Sequence, residues 1–120
     1  MKVLIVDDSK VIHMAVGEML VKEGHSFCSA YDGLEAIDLI KKSGDVDLIL
    51  LDWNMPNMNG AEFLEASNKD NFTDAIIVMM TTENKMEKIT KALSLGAEEY
   101  IMKPFNDEIL NSKIKIVTSL

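Results

Sequence analysis

A doubly wound α/β fold, with five parallel strands alternating with five helices, is predicted by three observations. Five short strand-like runs recur along the 120 residues: Lys2 to Val6, Ser26 to Ala30, Leu48 to Leu51, Ala75 to Met80 and Glu99 to Met102. The stretches between them carry apolar residues three and four apart, the spacing of a helix with one buried face. No internal repeat, low-complexity tract or linker interrupts the series. Strand and helix in strict alternation imply a parallel sheet covered on both faces and joined by right-handed crossovers. A chain of this length makes one domain, residues 1–120, able to bury roughly two-thirds of its unfolded surface.

Each element has its own warrant. Lys2 to Val6 is β-branched and apolar and stops at Asp7-Asp8. Ser9 is an N-cap for a helix whose Ile12, Ala15, Val16, Met19 and Leu20 share a face, and Gly24 ends it. Ser26 to Ala30 follows as the second strand, and Asp32-Gly33 turns the chain. Leu34 to Lys42 is then a helix with Ala36, Ile37 and Ile40 inward and Ser43-Gly44 as its stop. The unbroken apolar run Leu48 to Leu51 fits a central strand buried on both faces. After the Asn, Pro and Gly residues of a loop, Ala61 to Lys69 is a short helix carrying Phe63, Leu64 and Ala66, followed by polar loop from Asp70 to Asp74. Ala75 to Met80 stops at Thr81-Thr82. The next helix, Lys85 to Leu95, spaces Met86, Ile89, Ala92 and Leu93 helically and is closed by Gly96. Glu99 to Met102 ends at Lys103-Pro104. A last helix runs from Asn106 to about Thr118, capped by Asn106 or Asp107, with Leu110, Ile114 and Val117 facing in.

Composition narrows the function classes. A formal net charge of -8 disfavours nucleic acid or an anionic membrane as partner, because phosphate is held mainly by clustered Lys and Arg. Carboxylates in excess favour a cation instead. The single Cys28 can form no internal disulfide, reads as a small core residue and suggests a reducing, cytoplasmic compartment. No run approaches the ~18 apolar residues of a membrane span, and the amino-terminal run is too short for a signal peptide, so a soluble protein is expected.

The chemistry lies where the strands end. In a parallel sheet the ends of strands one, three, four and five share one edge, so Asp7, Asp8, Asp52, Thr81 and Lys103 can meet in one crevice. Taken singly, each has an ordinary reading: a strand-end turn for Asp7-Asp8, a turn or cap for Asp52, a cap for Thr81-Thr82, a solvated cation for Lys103. Taken together, they complement one another in charge, which unrelated loops have no reason to do. Three carboxylates brought together repel, and a bound divalent cation relieves them. Oxygen ligands favour Mg²⁺, or Mn²⁺, over zinc, since neither His nor Cys is placed to ligate. A Lys and a hydroxyl beside such a metal suit a phosphoryl group transferred onto an Asp.

These residues resemble the signature of the bacterial response-regulator receiver family. The resemblance rests on Asp7-Asp8, on Asp52 in the run Asp52-Trp53-Asn54-Met55-Pro56-Asn57-Met58-Asn59-Gly60, on Thr81 and on Lys103-Pro104-Phe105, and it spans the chain. Trp53 after the acceptor is most similar to the chemotaxis regulators of that family. The resemblance implies a flavodoxin-like strand order of 2-1-3-4-5. It implies that Asp52 is the phosphorylated nucleophile, and that Asp7, Asp8, Asp52 and the backbone carbonyl of Asn54 hold Mg²⁺. Lys103 would pair with the phosphoryl group, with a cis bond to Pro104. Thr81 would swing to a phosphoryl oxygen and Tyr100 would turn into the space it leaves. Asn54 and Glu83 fall at the positions that tune hydrolysis. The implied partners are a histidine kinase of the chemotaxis (CheA-like) type as phosphodonor and a motor switch protein or phosphatase as reader, met by the fourth helix, fifth strand and fifth helix of a monomer.

Several residues keep an alternative. Thr82 departs from the family's usual Ala or Gly and would narrow access to the acceptor. Tyr100 also reads as a half-buried aromatic at a strand end, and Trp53 with Met55 and Met58 as a cover over the crevice, with Trp53 doubling as a probe of metal binding. His13 and His25 read as surface or packing residues, having no second ligand nearby. Three functions compete. A stand-alone signalling switch, not an enzyme, is favoured because the chain ends one helix after Lys103; its output could be a motor, a phosphorelay or a phosphate sink. An Asp-nucleophile phosphatase would want an Asp where Asn54 stands. A flavodoxin-like cofactor carrier would want a Ser/Thr/Gly loop where two Asp residues stand.

Overall fold

The computed structural model describes residues 1–44 and 46–119. Strands β1 (Lys2–Val6), β2 (Ser26–Ala30), β3 (Leu48–Leu51), β4 (Ile76–Thr81) and β5 (Glu99–Met102) form one sheet, with each strand pair parallel. They alternate with helices α1 (Lys10–Lys22), α2 (Gly33–Ser43), α3 (Gly60–Asp70), α4 (Met86–Ser94) and α5 (Asp107–Thr118). The strand order is β2-β1-β3-β4-β5, the expected doubly wound arrangement. Among the described residues no helix is long and apolar enough to cross a membrane.

Alternation along the strands divides the core in two. Leu4, Val6, Ile49, Leu51, Ile77 and Met79 face one side, against Ala36 and Ile40 of α2, Phe63 and Leu64 of α3 and Ala92 of α4. Val3, Ile5, Leu48, Leu50, Val78 and Met80 face the other, against Val16 and Leu20 of α1 and Leu110, Ile114 and Val117 of α5. All four residues of β3 are buried, as a strand covered on both faces requires. Each Leu or Ile so buried stabilises the fold by about 1.5–3 kcal/mol, which fixes the register and with it the height at which each strand ends.

Four of the five helices begin on a side-chain cap. Ser9 accepts from the Ile12 N–H at 3.4 Å, Asp32 from Glu35 at 2.8 Å and Asn106 from Ile109 at 2.9 Å. Asn59 and Glu62 form a reciprocal capping box at 2.8 and 3.1 Å. Helix α4, preceded by Lys85, has no such bond.

Some expectations need correction. Strand β4 lies one residue later than its apolar run suggested, so Thr81 is its last residue and not the first beyond it. On α1 the buried set is His13, Val16, Gly17 and Leu20, while Ala15 is exposed and Ile12 and Met19 are half-buried. The reason is Gly17: a Cβ there would come within 2.5 Å of the Phe27 ring, so the helix turns its bare backbone toward that aromatic. Cys28 is half-buried because β2 is an edge strand paired only with β1. On α4 only Ala92 is buried, and Met86 is 74% exposed.

Candidate functional site

The sheet ladder continues one residue beyond the strands and carries the polar residues with it. The N–H of Asp7 donates to the Ala30 carbonyl at 3.1 Å, that of Asp52 to Val6 at 2.9 Å and that of Lys103 to Thr81 at 3.0 Å. Asp7, Asp52, Thr81 and Lys103 therefore end at one rim, and Asp8 follows Asp7 into the loop. Asp7, Asp52 and Thr81 are buried and Asp8 is exposed. One carboxylate oxygen from each of Asp7, Asp8 and Asp52 lies within 4.8 Å of the other two. Hard oxygen donors at that spacing fit a Mg²⁺-type cation, and the open Asp8 side leaves room for its waters.

The Lys103 ammonium closes the inner side of the cluster. Its Nζ lies 2.5 Å from Asp7 Oδ2 and 3.5 Å from Asp52 Oδ2, with the side chain only 12% exposed. Its bond to Pro104 is cis. The remaining oxygens meet backbone donors, Asp7 Oδ1 the Ser9 N–H at 2.9 Å and Asp52 Oδ1 the Trp53 N–H at 2.8 Å. Burial pushes the Asp52 carboxyl above its ordinary range, and the Asp7 charge adds to the rise. Lys103 pulls it back, helped by the Thr81 hydroxyl and the Trp53 N–H. Asp52 is thus a buried carboxylate with one oxygen held by a backbone donor and the other facing a cation.

The model of the response regulator receiver domain matches residues 3–115. This chain belongs to the response regulator receiver family. The receiver is 38% identical to a CheY homologue of Campylobacter jejuni over 98% of its own length and 92% of the relative's. It is 34% identical to CheY1 of Helicobacter pylori, over 98% and 96% of the two chains. The transcriptional regulator CpxR of Escherichia coli matches at 36%, but over only 48% of its length. In structure the receiver superposes on Vibrio cholerae CheY4 with a TM-score of 0.87 at 38% identity, over 97% of each chain. A Clostridium difficile two-component response regulator gives 0.89 at 34%, over 98% and 95%. The chain is thus a CheY-like receiver, a type of signalling switch and not a conventional enzyme.

Around the carboxylates the receiver's remaining candidates divide. Tyr100 is buried, not half-buried, and its hydroxyl donates to the Glu83 carbonyl at 2.5 Å. Burial first, then the Glu83 and Asp52 charges, push that hydroxyl up to about 12, so it stays a donor. The Tyr100 ring faces inward in this structure. The Glu83 carboxylate turns away to α4, accepting from the Lys85 N–H and the Lys88 ammonium, each at 3.2 Å. These donors, the Lys85 N–H foremost, hold its carboxyl below the usual range. Thr81 Oγ1 accepts from the Glu83 N–H at 3.2 Å, which ties the same loop to β4. Asn54 is exposed beside Asp8, where the two residues line a shallow pocket with Met55, Pro56 and Asn59. Trp53 is buried in the core, with Met55 and Met58 partly buried against the same cluster.

Gly60 and His13 touch the backbone of the acidic residues. Gly60 donates to the Trp53 carbonyl at 2.8 Å, and a Cβ there would come within 2.7 Å of the Asp52 carbonyl oxygen. The start of α3 thus lies directly on the acceptor's own backbone. His13 is a buried packing residue whose Nε2 lies 2.7 Å from the Asp7 carbonyl. It shares the buried face of α1 with Val16 and Leu20. His25 instead meets the amino terminus at 3.2 Å. A cavity of about 710 Å³ lies between Met1, Asp47, Phe72 and Thr118, away from this cluster.

Proposed function

We propose that this receiver accepts a phosphoryl group on Asp52 from a histidine kinase and relays the event to a protein partner. The observation that carries the reading is the position of Asp52 itself. Its Oδ2 lies 3.5 Å from the Lys103 ammonium, and it shares a 4.8 Å cluster with Asp7 and Asp8. In the transfer an Asp52 oxygen forms a bond to phosphorus as the bond to the donor imidazole nitrogen breaks, and the leaving nitrogen takes up a proton. Lys103 moves its contact from carboxylate to phosphoryl oxygen and the Thr81 hydroxyl donates to another, neutralising charge where it develops. Asp7, Asp8, Asp52 and the Asn54 carbonyl would hold Mg²⁺, which supplies charge neutralisation for the carboxylates and the incoming group. Asn54 and Glu83 then tune the lifetime of the acyl phosphate.

The switch couples this event to Tyr100 and to the surface of α4, β5 and α5. Shifting a conformer from 1:99 to 99:1 needs about 5.5 kcal/mol, within reach of several new charge-assisted bonds to the phosphoryl oxygens. Thr82 is exposed and lines a groove with Lys103 and Phe105, and its bulk there would narrow the approach of the donor. The reading takes residues 1–120 as one cytoplasmic receiver acting alone, as a monomer, in the manner of the CheY homologues it resembles. Their names favour a chemotaxis output such as a flagellar motor switch over a relay or sink. Incubation with acetyl phosphate and Mg²⁺, followed by intact mass measurement, tests the reading. One phosphoryl adduct on the wild type, absent from Asp52→Asn and in EDTA, is expected; no adduct on the wild type would overturn it.

A further inference from the structure

We propose that His13 is a positioning residue for the acidic cluster, holding the Asp7 peptide so that the Asp7 and Asp8 carboxylates stay in metal-binding register. The inference rests on the reading of Asp7 and Asp8 as Mg²⁺ ligands and extends it to a residue outside the cluster. His13 lies in α1 on its inward face, and its ring is 4% exposed. Nε2 is 2.7 Å from the Asp7 carbonyl oxygen and Nδ1 is 2.8 Å from Ser29 Oγ on β2. The Tyr31 ring, 4.4 Å away between centroids, packs against the imidazole. A carbonyl can only accept, so Nε2 carries the proton, and in the neutral ring Nδ1 accepts from the Ser29 hydroxyl. Both ring edges are engaged, and one ring ties together the end of β1, the edge strand β2 and α1.

That tie bears on the cluster because of where the carbonyl sits. The Asp7 backbone is gripped at its N–H by Ala30, at 3.1 Å, and its carboxylate Oδ1 by the Ser9 N–H, at 2.9 Å. The bond from His13 fixes the remaining freedom, the plane of the Asp7–Asp8 peptide, which sets the direction in which the exposed Asp8 side chain leaves. Without it the buried carbonyl loses its side-chain donor and the peptide is free to rotate toward solvent. Outer partners of metal ligands act in this way, and their loss typically costs about 10–100-fold in metal affinity.

The length of a side-chain amide separates positioning from packing. In His13→Asn the amide reaches only the place of Nδ1, keeping Ser29 and losing Asp7; in His13→Gln it reaches the place of Nε2 and keeps Asp7. Titration with Mg²⁺ followed by Trp53 fluorescence should show a loss of about tenfold in affinity for His13→Asn and recovery to within about threefold for His13→Gln. His13→Asn within twofold of the wild type, or His13→Gln as weak as His13→Asn, would overturn the proposal. A measurement on the wild type alone guards against a variant that does not fold. Ring ¹⁵N spectra at about pH 8, above the ordinary histidine range, should show a proton on Nε2 and a shift of that nitrogen on adding Mg²⁺. A bare Nε2, or a ring signal unmoved at saturating Mg²⁺, would refute it. A wild type that binds no Mg²⁺ would instead sink the underlying reading of Asp7 and Asp8.

Discussion

Replacing Lys103 with methionine keeps most of the side chain's volume and removes its charge, which isolates what the ammonium does for the fold. Asp7 is 1% exposed on its side chain and Asp52 9%, and Lys103 meets them at 2.5 and 3.5 Å. At an effective dielectric of about 20, each contact is worth roughly 5–7 kcal/mol of attraction before desolvation is counted. Breaking such a buried pair and leaving the partner charged costs about 3–5 kcal/mol. Because Asp8 opens the cluster to water, the lower end, about 3 kcal/mol, is expected for Lys103→Met in EDTA. For a domain of this size that lowers the melting temperature by roughly 10 °C. A divalent cation takes over part of the role of the ammonium, and at one hundred times its dissociation constant it returns about 2.7 kcal/mol. Urea unfolding followed by Trp53 fluorescence and circular dichroism, in EDTA and in Mg²⁺, measures both figures. A variant within about 1 kcal/mol of the wild type in EDTA would refute the claim that Lys103 holds the carboxylates together.

Other perturbations probe the neighbours of that ion pair. Asp52 has its carboxyl raised in the folded state, chiefly by burial, so its contribution to stability is fully present below the unfolded carboxylate range and is lost as pH rises through the folded value. Asp52→Asn should therefore be more stable than the wild type at neutral pH in EDTA and lose this decline; parallel pH profiles of the two urea midpoints would contradict it. Gly60→Ala drives a Cβ to within 2.7 Å of the Asp52 carbonyl oxygen, against backbone that cannot yield like a side chain. A loss of about 2 kcal/mol and slower labelling by acetyl phosphate are expected, and an unaffected labelling rate would show that α3 does not position the acceptor. Tyr100→Phe deletes the donor to the Glu83 carbonyl and should cost about 1 kcal/mol in thermal unfolding without abolishing the phosphoryl adduct on Asp52.

The strands and the rim were legible because two signals coincide in the sequence. Apolar runs such as Leu48 to Leu51 can be satisfied only by burial on both faces, and a charged residue directly after such a run must sit at the strand's exit. Parallel topology then brings the exits together, so Asp7, Asp8, Asp52 and Lys103 could be assembled without coordinates. Thr81 shows the limit of that logic: a threonine's backbone pairs in a ladder as readily as that of an apolar residue, so β4 absorbs it. The inward face of α1 was misplaced because Gly17 and His13 carry no apolar signal, and their burial depends on Phe27, Ser29 and Tyr31 from another strand. Met86 and Leu93 have helical spacing on α4 yet stand 74% and 45% exposed, because periodicity marks a side of a helix and not whether a core awaits it.

The want of a side-chain cap on α4, together with its single buried alanine, sets the mechanical character of the molecule. Asp52 follows the central strand β3 and Lys103 the edge strand β5, both held in the sheet ladder, whereas α4 is joined to β4 through the loop that Thr81, Glu83 and Tyr100 share. Helices so lightly moored detach or tilt at a small fraction of the global unfolding free energy. Displacing α4 therefore disturbs less packing than displacing any of the other four helices, since Ala92 is its single buried side chain.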